Sequence, residues 1–190
     1  MSRIAFSEQK NDPLNSNTVQ WPTVRTEGDS TINAGVFDSD KGQGGYHAWL
    51  LDPEREHTWF TMYNNDLTLL VGYIFLKDEN PWIGDWQENQ RARALPRNGQ
   101  TVAWGLEVGT TPFASGIKQS MDRGPVFDTE TYRWIEAKEK KSQSYLIFLL
   151  EIDKGFKGVN ELELEKGAII LTEKESGNKI RIANNFNLNH

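Results

Sequence analysis

Apolar residues in this chain gather in short runs broken by turn residues. His47–Asp52, Thr58–Asn64 and Leu67–Leu76 are rich in Trp, Phe, Tyr, Leu and Val, with Asp-Pro and Asn-Asn punctuation between them. That is the pattern of strands and turns. Thr101–Gly109, Thr131–Lys138, Gln143–Ile152, Glu161–Leu171 and Asn178–Ala183 continue it. Alternation is cleanest in the last third, where Leu162 and Leu164 stand between glutamates and Ile180 and Ile182 between basic and small residues. No long stretch repeats at the helical period, and Pro112–Arg123 predicts one short helical turn. The pattern predicts an all-β protein of antiparallel sheets packed face to face. Before these runs, Ser7 to Asn33 is polar and carries Pro13 and Pro22, which predicts loop or extended arm. Gly42-Gln43-Gly44-Gly45 reads as a flexible turn. The expected organisation is a polar arm or extended segment at 1–40 and a β-sandwich domain at 41–190, ending in an asparagine-rich tail from Ala183 that frays.

Composition narrows the chemistry. A chain of 190 residues fits one domain with a buried core. The absence of cysteine excludes disulfides, thiolate metal sites and cysteine nucleophiles. The net charge of −6, with basic residues spread among acidic ones, argues against a nucleic-acid surface. No apolar run reaches membrane-spanning length, and MSRIAFSEQKNDPLNSN lacks the apolar core of a signal peptide. The expectation is a soluble, cytoplasmic protein, although a secreted form with its signal removed has the same features. No phosphate loop, nucleophile elbow or paired metal-binding histidines are present. Asp122, Asp128 and Glu130 lack the spacing of a calcium loop. Neither a metal nor a cofactor is expected.

The most informative strand is Thr101–Gly109. Side chains alternate between the faces of a strand. Val102, Trp104, Leu106 and Val108 make one face apolar and predict core. Thr101, Ala103, Gly105, Glu107 and Gly109 leave the other nearly bare except for one carboxylate. Glycine in a strand marks a bend, a bulge or close approach of a ligand, so Glu107 is expected to stand on a hollow floor open to a flat ligand. Upstream, Trp82 and Trp86 follow the turn signal Asn80-Pro81, and Glu88, Asn89, Arg91 and Arg93 crowd into the next positions. Sugars lay their C–H faces on aromatic rings and need donors and acceptors at fixed directions. Arginine supplies a planar fork of donors. This mixture makes Trp82, Trp86, Glu88, Asn89, Arg91 and Arg93 candidates for binding a small sugar or glycan. The alternative is that the tryptophans are core and the charged residues a solvated loop.

PWIGDWQEN, LPRNGQTVAWGLEVGTTPF and VFDTETYRWIEAKEKKSQSY resemble the C-terminal half of proteins in the galactose mutarotase-like superfamily, the aldose 1-epimerase relatives. The resemblance covers roughly His47 to Lys166. It implies a large antiparallel β-sandwich, the supersandwich, and a glutamate on a late strand acting as general base. Gly105-Leu106-Glu107, followed by Thr110-Thr111-Pro112, is similar to that place, so Glu107 is the implied base. Such an enzyme opens a hemiacetal ring and lets it close on the other face. A carboxylate takes the anomeric proton, and an acid protonates the ring oxygen. Among the three histidines, His47 stands in the chain order that suits the acid, whereas His57 lies in a charged turn and His190 is the last residue. Glu88 is the alternative acid. A complete domain of that type is longer than this chain, so a truncated relative, one part of a split protein, or a module without the acid are all implied. Open sheet edges in a cut sandwich predict a homodimer or a partner chain. Three readings stay open: a sugar-converting isomerase, a non-catalytic carbohydrate-binding module, and a structural or assembly domain.

Overall fold

A computed structural model describes residues 3–7, 21–25, 30–52, 54–114 and 116–185, with backbone alone described for 3–7. The described chain is all-β, built from antiparallel sheets. It divides into two compact units: Met1–Arg55 with Lys77–Lys141, and Glu56–Leu76 with Ser142–His190.

The first unit holds a sheet of β1 (Arg3–Ser7), β4 (Gln43–Leu50), β7 (Trp82–Asn89) and β8 (Val102–Gly109), in that order. A small hairpin of β2 (Thr23–Arg25) and β3 (Thr31–Asn33) and one short helix, α1 (Ile117–Arg123), complete it. The β4–β7–β8 register is continuous. Tyr46 lies opposite Trp86 and Trp86 opposite Gly105, while His47 lies opposite Asp85 and Asp85 opposite Leu106. Trp82, Leu50, Phe113 and Val126 form a small core on one face.

The second unit is a sandwich of two three-stranded sheets. One is β5 (His57–Asn64), β6 (Leu69–Leu76) and β9 (Tyr145–Glu151), with β6 central. The other is β10 (Val159–Glu165), β11 (Ala168–Glu173) and β12 (Lys179–Ala183), with β11 central. Leu70, Ile74 and Phe148 from the first sheet meet Leu162, Ile169 and Leu171 from the second in one buried cluster. Gly72 admits the Phe148 ring, which lies where a side chain at that position would go. Burying aliphatic and aromatic side chains of this size stabilises a fold by about 1.5–3 kcal/mol each.

Several expectations need correction. Trp82–Asn89, absent from the strands predicted, is a central strand, almost wholly buried. Its polar Asp85, Gln87 and Asn89 break the apolar pattern, but they are buried under other chain segments rather than solvated. Thr131–Lys138 forms no strand: Thr131 is buried by its hydrogen bond to Ser120 O, and Trp134 is exposed. Glu161–Leu171 is two strands, β10 and β11, turned at Lys166-Gly167. Within 1–40, the extended stretches β1 and β2 pair with β4 and β3. The stretch 8–20 and the end of the tail, 186–190, lie outside the described residues.

Candidate functional site

On one face of the first unit's sheet, β4 contributes Tyr46, β7 contributes Trp86 and β8 contributes Glu107. The hollow expected beneath Glu107 is occupied. A Cβ built on Gly105 would meet Trp86 Cε3 at 3.4 Å and Glu107 Oε1 at 3.7 Å. The indole therefore leans across the glycine, beside the carboxylate. A Cβ on Gly84 would meet Tyr46 Oη at 2.5 Å, so the second glycine of this face is roofed by the tyrosine. The bare positions seat protein rings. Aromatic side chains packed across strand glycines recover contact area that glycine lacks.

The arginine that joins this cluster is Arg97. Its Cζ lies 4.9 Å from the centroid of the Trp86 ring, a cation–π distance. Arg91 and Arg93 are exposed in the loop between β7 and β8, and Arg93 runs along Gly99. Arg97 reaches Trp86 because that loop folds back on itself: Gly99 N donates to Ala92 O at 2.8 Å and Gln90 N to Thr101 O at 2.8 Å. Asn98-Gly99 was the readable signal, since that pair marks a chain reversal.

Other predicted site residues have structural partners. Trp82 is fully buried and its Nε1 donates to Glu130 O at 2.9 Å; it is core. Glu88 is buried, and its Oε1 accepts the backbone amides of Arg91 at 2.6 Å and Ala92 at 2.8 Å. A carboxyl so engaged closes the loop. Asn89 is buried and its amide donates to Asp38 O at 3.0 Å.

His47 corrects the pairing expected with Glu107. It belongs to the opposite face of the sheet, across from Asp85, whereas Glu107 lies across from Gly84. Alternate residues of a strand face opposite sides, so one sugar ring cannot meet both groups. The apolar face expected on β8 is also incomplete as core: β8 is an edge strand, and Val102 is 59% exposed.

The face that holds His47 carries the residue that sequence reasoning missed. Asp85 is fully buried. Its Oδ1 accepts Trp104 Nε1 at 2.6 Å, and its Oδ2 has no hydrogen-bond partner among the described residues. Burial pushes its carboxyl up to about 7, partly offset by the Trp104 indole and the Gln87 amide. Residues 34–38 form a strap over this face. Gln87 Nε2 donates to Ala34 O at 3.1 Å and to Val36 O at 3.4 Å, and Gln87 Oε1 accepts Asp38 N at 3.1 Å. Phe37 packs on Trp104 with ring centroids 6.2 Å apart. A cavity of about 350 Å³ lies along the strap, with Gly44, Gly45, His47 and Gln87 among its lining. Gly44 is required there: its φ is +139°, and a Cβ would collide with Gln87 O.

A second cavity, of about 270 Å³, is lined by Lys77, Asp78, Glu130 and Arg133 among others. Its cations are engaged locally, Lys77 with the Asp78 carboxylate at 3.0 Å and Arg133 with Asp78 O at 2.6 Å. Among the described residues no cluster of His, Asp and Glu is arranged to hold a metal ion, and no helix is long and apolar enough to cross a membrane. No family model, curated protein or solved structure matches this chain.

Proposed function

We propose that this chain is a carbohydrate-binding β protein whose sugar site is the surface of Trp86, Arg97 and Glu107. One observation carries the reading: Trp86 and the Glu107 carboxylate flank Gly105 together, with the Arg97 guanidinium over the indole. An aromatic ring, an acceptor and a fork of donors meet at one place. A pyranose needs that set, because its C–H face stacks on a ring while its hydroxyls demand directional partners. The mutarotase-like resemblance adds ring opening with Glu107 as base. The arrangement favours binding without conversion, because His47 is on the other face and Glu88 is engaged by two amides. The test is a monosaccharide and glycan binding screen on the wild type, Trp86→Ala and Glu107→Gln, with polarimetry on any hit. The expected outcome is binding that weakens about tenfold or more in each variant, with no change in the mutarotation rate. Glu107-dependent mutarotation would convert the reading to an isomerase. The absence of binding to any sugar would end it.

A second reading, assembly through a β surface, is favoured by the outward face of β5–β6–β9. There Phe60 stacks on Tyr73 at 4.8 Å and Tyr73 on Tyr145 at 6.3 Å. Beside them Tyr145, Ile147 and Leu149 are 57%, 50% and 68% exposed. An apolar surface of this kind marks an interaction site more often than a free one. A second copy of the chain is the simplest occupant.

A further inference from the structure

We propose that the cavity at the Leu50 end of the first unit's sheet binds a free amino acid with an apolar side chain, at a site separate from the sugar surface. Leu50 lies opposite Trp82 and Trp82 opposite Gly109, whereas Trp86 lies opposite Gly105 farther along the ladder. One wall of this cavity of about 270 Å³ is the stretch Glu130–Arg133. It forms no strand, yet hydrogen bonds tie it to three neighbours. Glu130 O accepts Trp82 Nε1 of β7 at 2.9 Å. Thr131 Oγ1 donates to Ser120 O of α1 at 2.6 Å. Arg133 Nη2 donates to Asp78 O, in the turn before β7, at 2.6 Å. Groups held in place before a ligand arrives lose less freedom when it binds.

The lining selects a zwitterion. Two cations, Lys77 and Arg133, and two carboxylates, Asp78 and Glu130, belong to it. Lys77 and Asp78 answer each other, Nζ to Oδ1 at 3.0 Å. That leaves one charge of each sign. Arg133 carries a fork of N–H donors, and among the described residues its hydrogen bonding to protein is confined to Asp78 O. Glu130 makes its hydrogen bond through the backbone, and among the described residues its carboxylate has no hydrogen-bond or ion-pair partner. A ligand carboxylate suits the arginine fork, and a ligand ammonium pairs with Glu130. A ligand with a single charge answers one of the two and meets like charge in the other. Between them Leu50 and Leu51, both buried, and Pro81 give an aliphatic side chain apolar surface to cover. The cavity is smaller than the roughly 300–1,000 Å³ of pockets for drug-sized ligands, which suits one amino acid rather than a peptide.

The experiment is isothermal titration of the full chain with free leucine. Two analogues serve as controls: isocaproate, which lacks the ammonium, and isoamylammonium, which lacks the carboxylate. Saturable binding of leucine, at least about tenfold tighter than either analogue, is expected. Glu130→Gln keeps the backbone oxygen that Trp82 uses, and is expected to weaken leucine at least about tenfold while leaving isocaproate unchanged. Arg133→Gln should weaken leucine and isocaproate together and leave isoamylammonium unchanged. A loss caused by a loosened fold would instead fall on all three ligands alike. Trp86→Ala, in the sugar surface, leaves leucine binding as it is. No saturable binding at tens of millimolar leucine, an analogue that binds as tightly as leucine, or unaltered leucine affinity in Glu130→Gln would each overturn the proposal. Should Arg133→Gln not fold, the Glu130→Gln comparison of leucine with isocaproate decides by itself.

Discussion

Asp85 is a costly residue to bury, and the cost depends on pH. Its carboxyl is raised from 3.8 to about 7 by burial, so the folded state holds its proton more tightly than the unfolded chain does. The stability it contributes is complete below about pH 4 and is lost as pH rises through about 7. The carboxyls held low, those of Asp52, Glu139 and Glu173, act at the acidic end and do not change over this window. The wild type is therefore expected to melt at a lower temperature at about pH 8 than at about pH 5, by a difference on the order of a few kcal/mol at most. Asp85→Asn should flatten that slope and be the more stable protein at the higher pH. Thermal melts of both across this range check it, and a wild type without the decline would mean that Asp85 is solvated in solution. Nothing in the sequence singles out Asp85. It sits between Gly84 and Trp86 in a stretch that reads as polar loop, and only its neighbours in space remove it from water.

At the scale of elements, glycines decide where strands can pack. Gly72 lies in the middle of β6, and the Phe148 ring of β9 occupies the space where its side chain would go. Gly72→Ala is expected to cost about 1–3 kcal/mol by overpacking. Adding Phe148→Leu to it should recover part of the loss. Chemical denaturation of the two variants measures this, and an Ala variant as stable as the wild type would show that the ring moves freely. Strands with alternating or continuous apolar residues, such as β5, β6, β9 and β12, were legible from the sequence because one-sided burial writes a period of two. β7 was not, because a strand buried on both faces with three polar residues on one of them has no such period. The predicted strand over Thr131–Lys138 failed for a related reason. Aromatic content there signals packing, but among the described residues no strand pairs with it.

The molecule as a whole exposes an apolar sheet face on β5–β6–β9, and this carries the expectation about association. Sedimentation at tens of micromolar chain is expected to show a dimer, and Leu149→Lys to shift it to monomer. Leu149 is 68% exposed, so the substitution should leave stability within about 0.5 kcal/mol of the wild type. A wild type that sediments only as a monomer would remove the assembly reading and leave the sugar surface standing by itself.

The sequence by itself determined the class of this protein. Short runs of apolar and β-branched residues, frequent turn signals and the absence of helical period leave antiparallel sheets as the way to bury these side chains. It also singled out Trp86 and Glu107 as candidates for one site. It did not determine which of its candidates share a surface. Parity along a strand is written in the chain, but the relation between two strands is set by register, and a slip of one residue exchanges the faces. That register puts His47 with Asp85 on one face and Glu107 with Trp86 on the other. Long-range backbone pairing and the strap held by Gln87 and Asn89 decide it, and no local pattern carries that information.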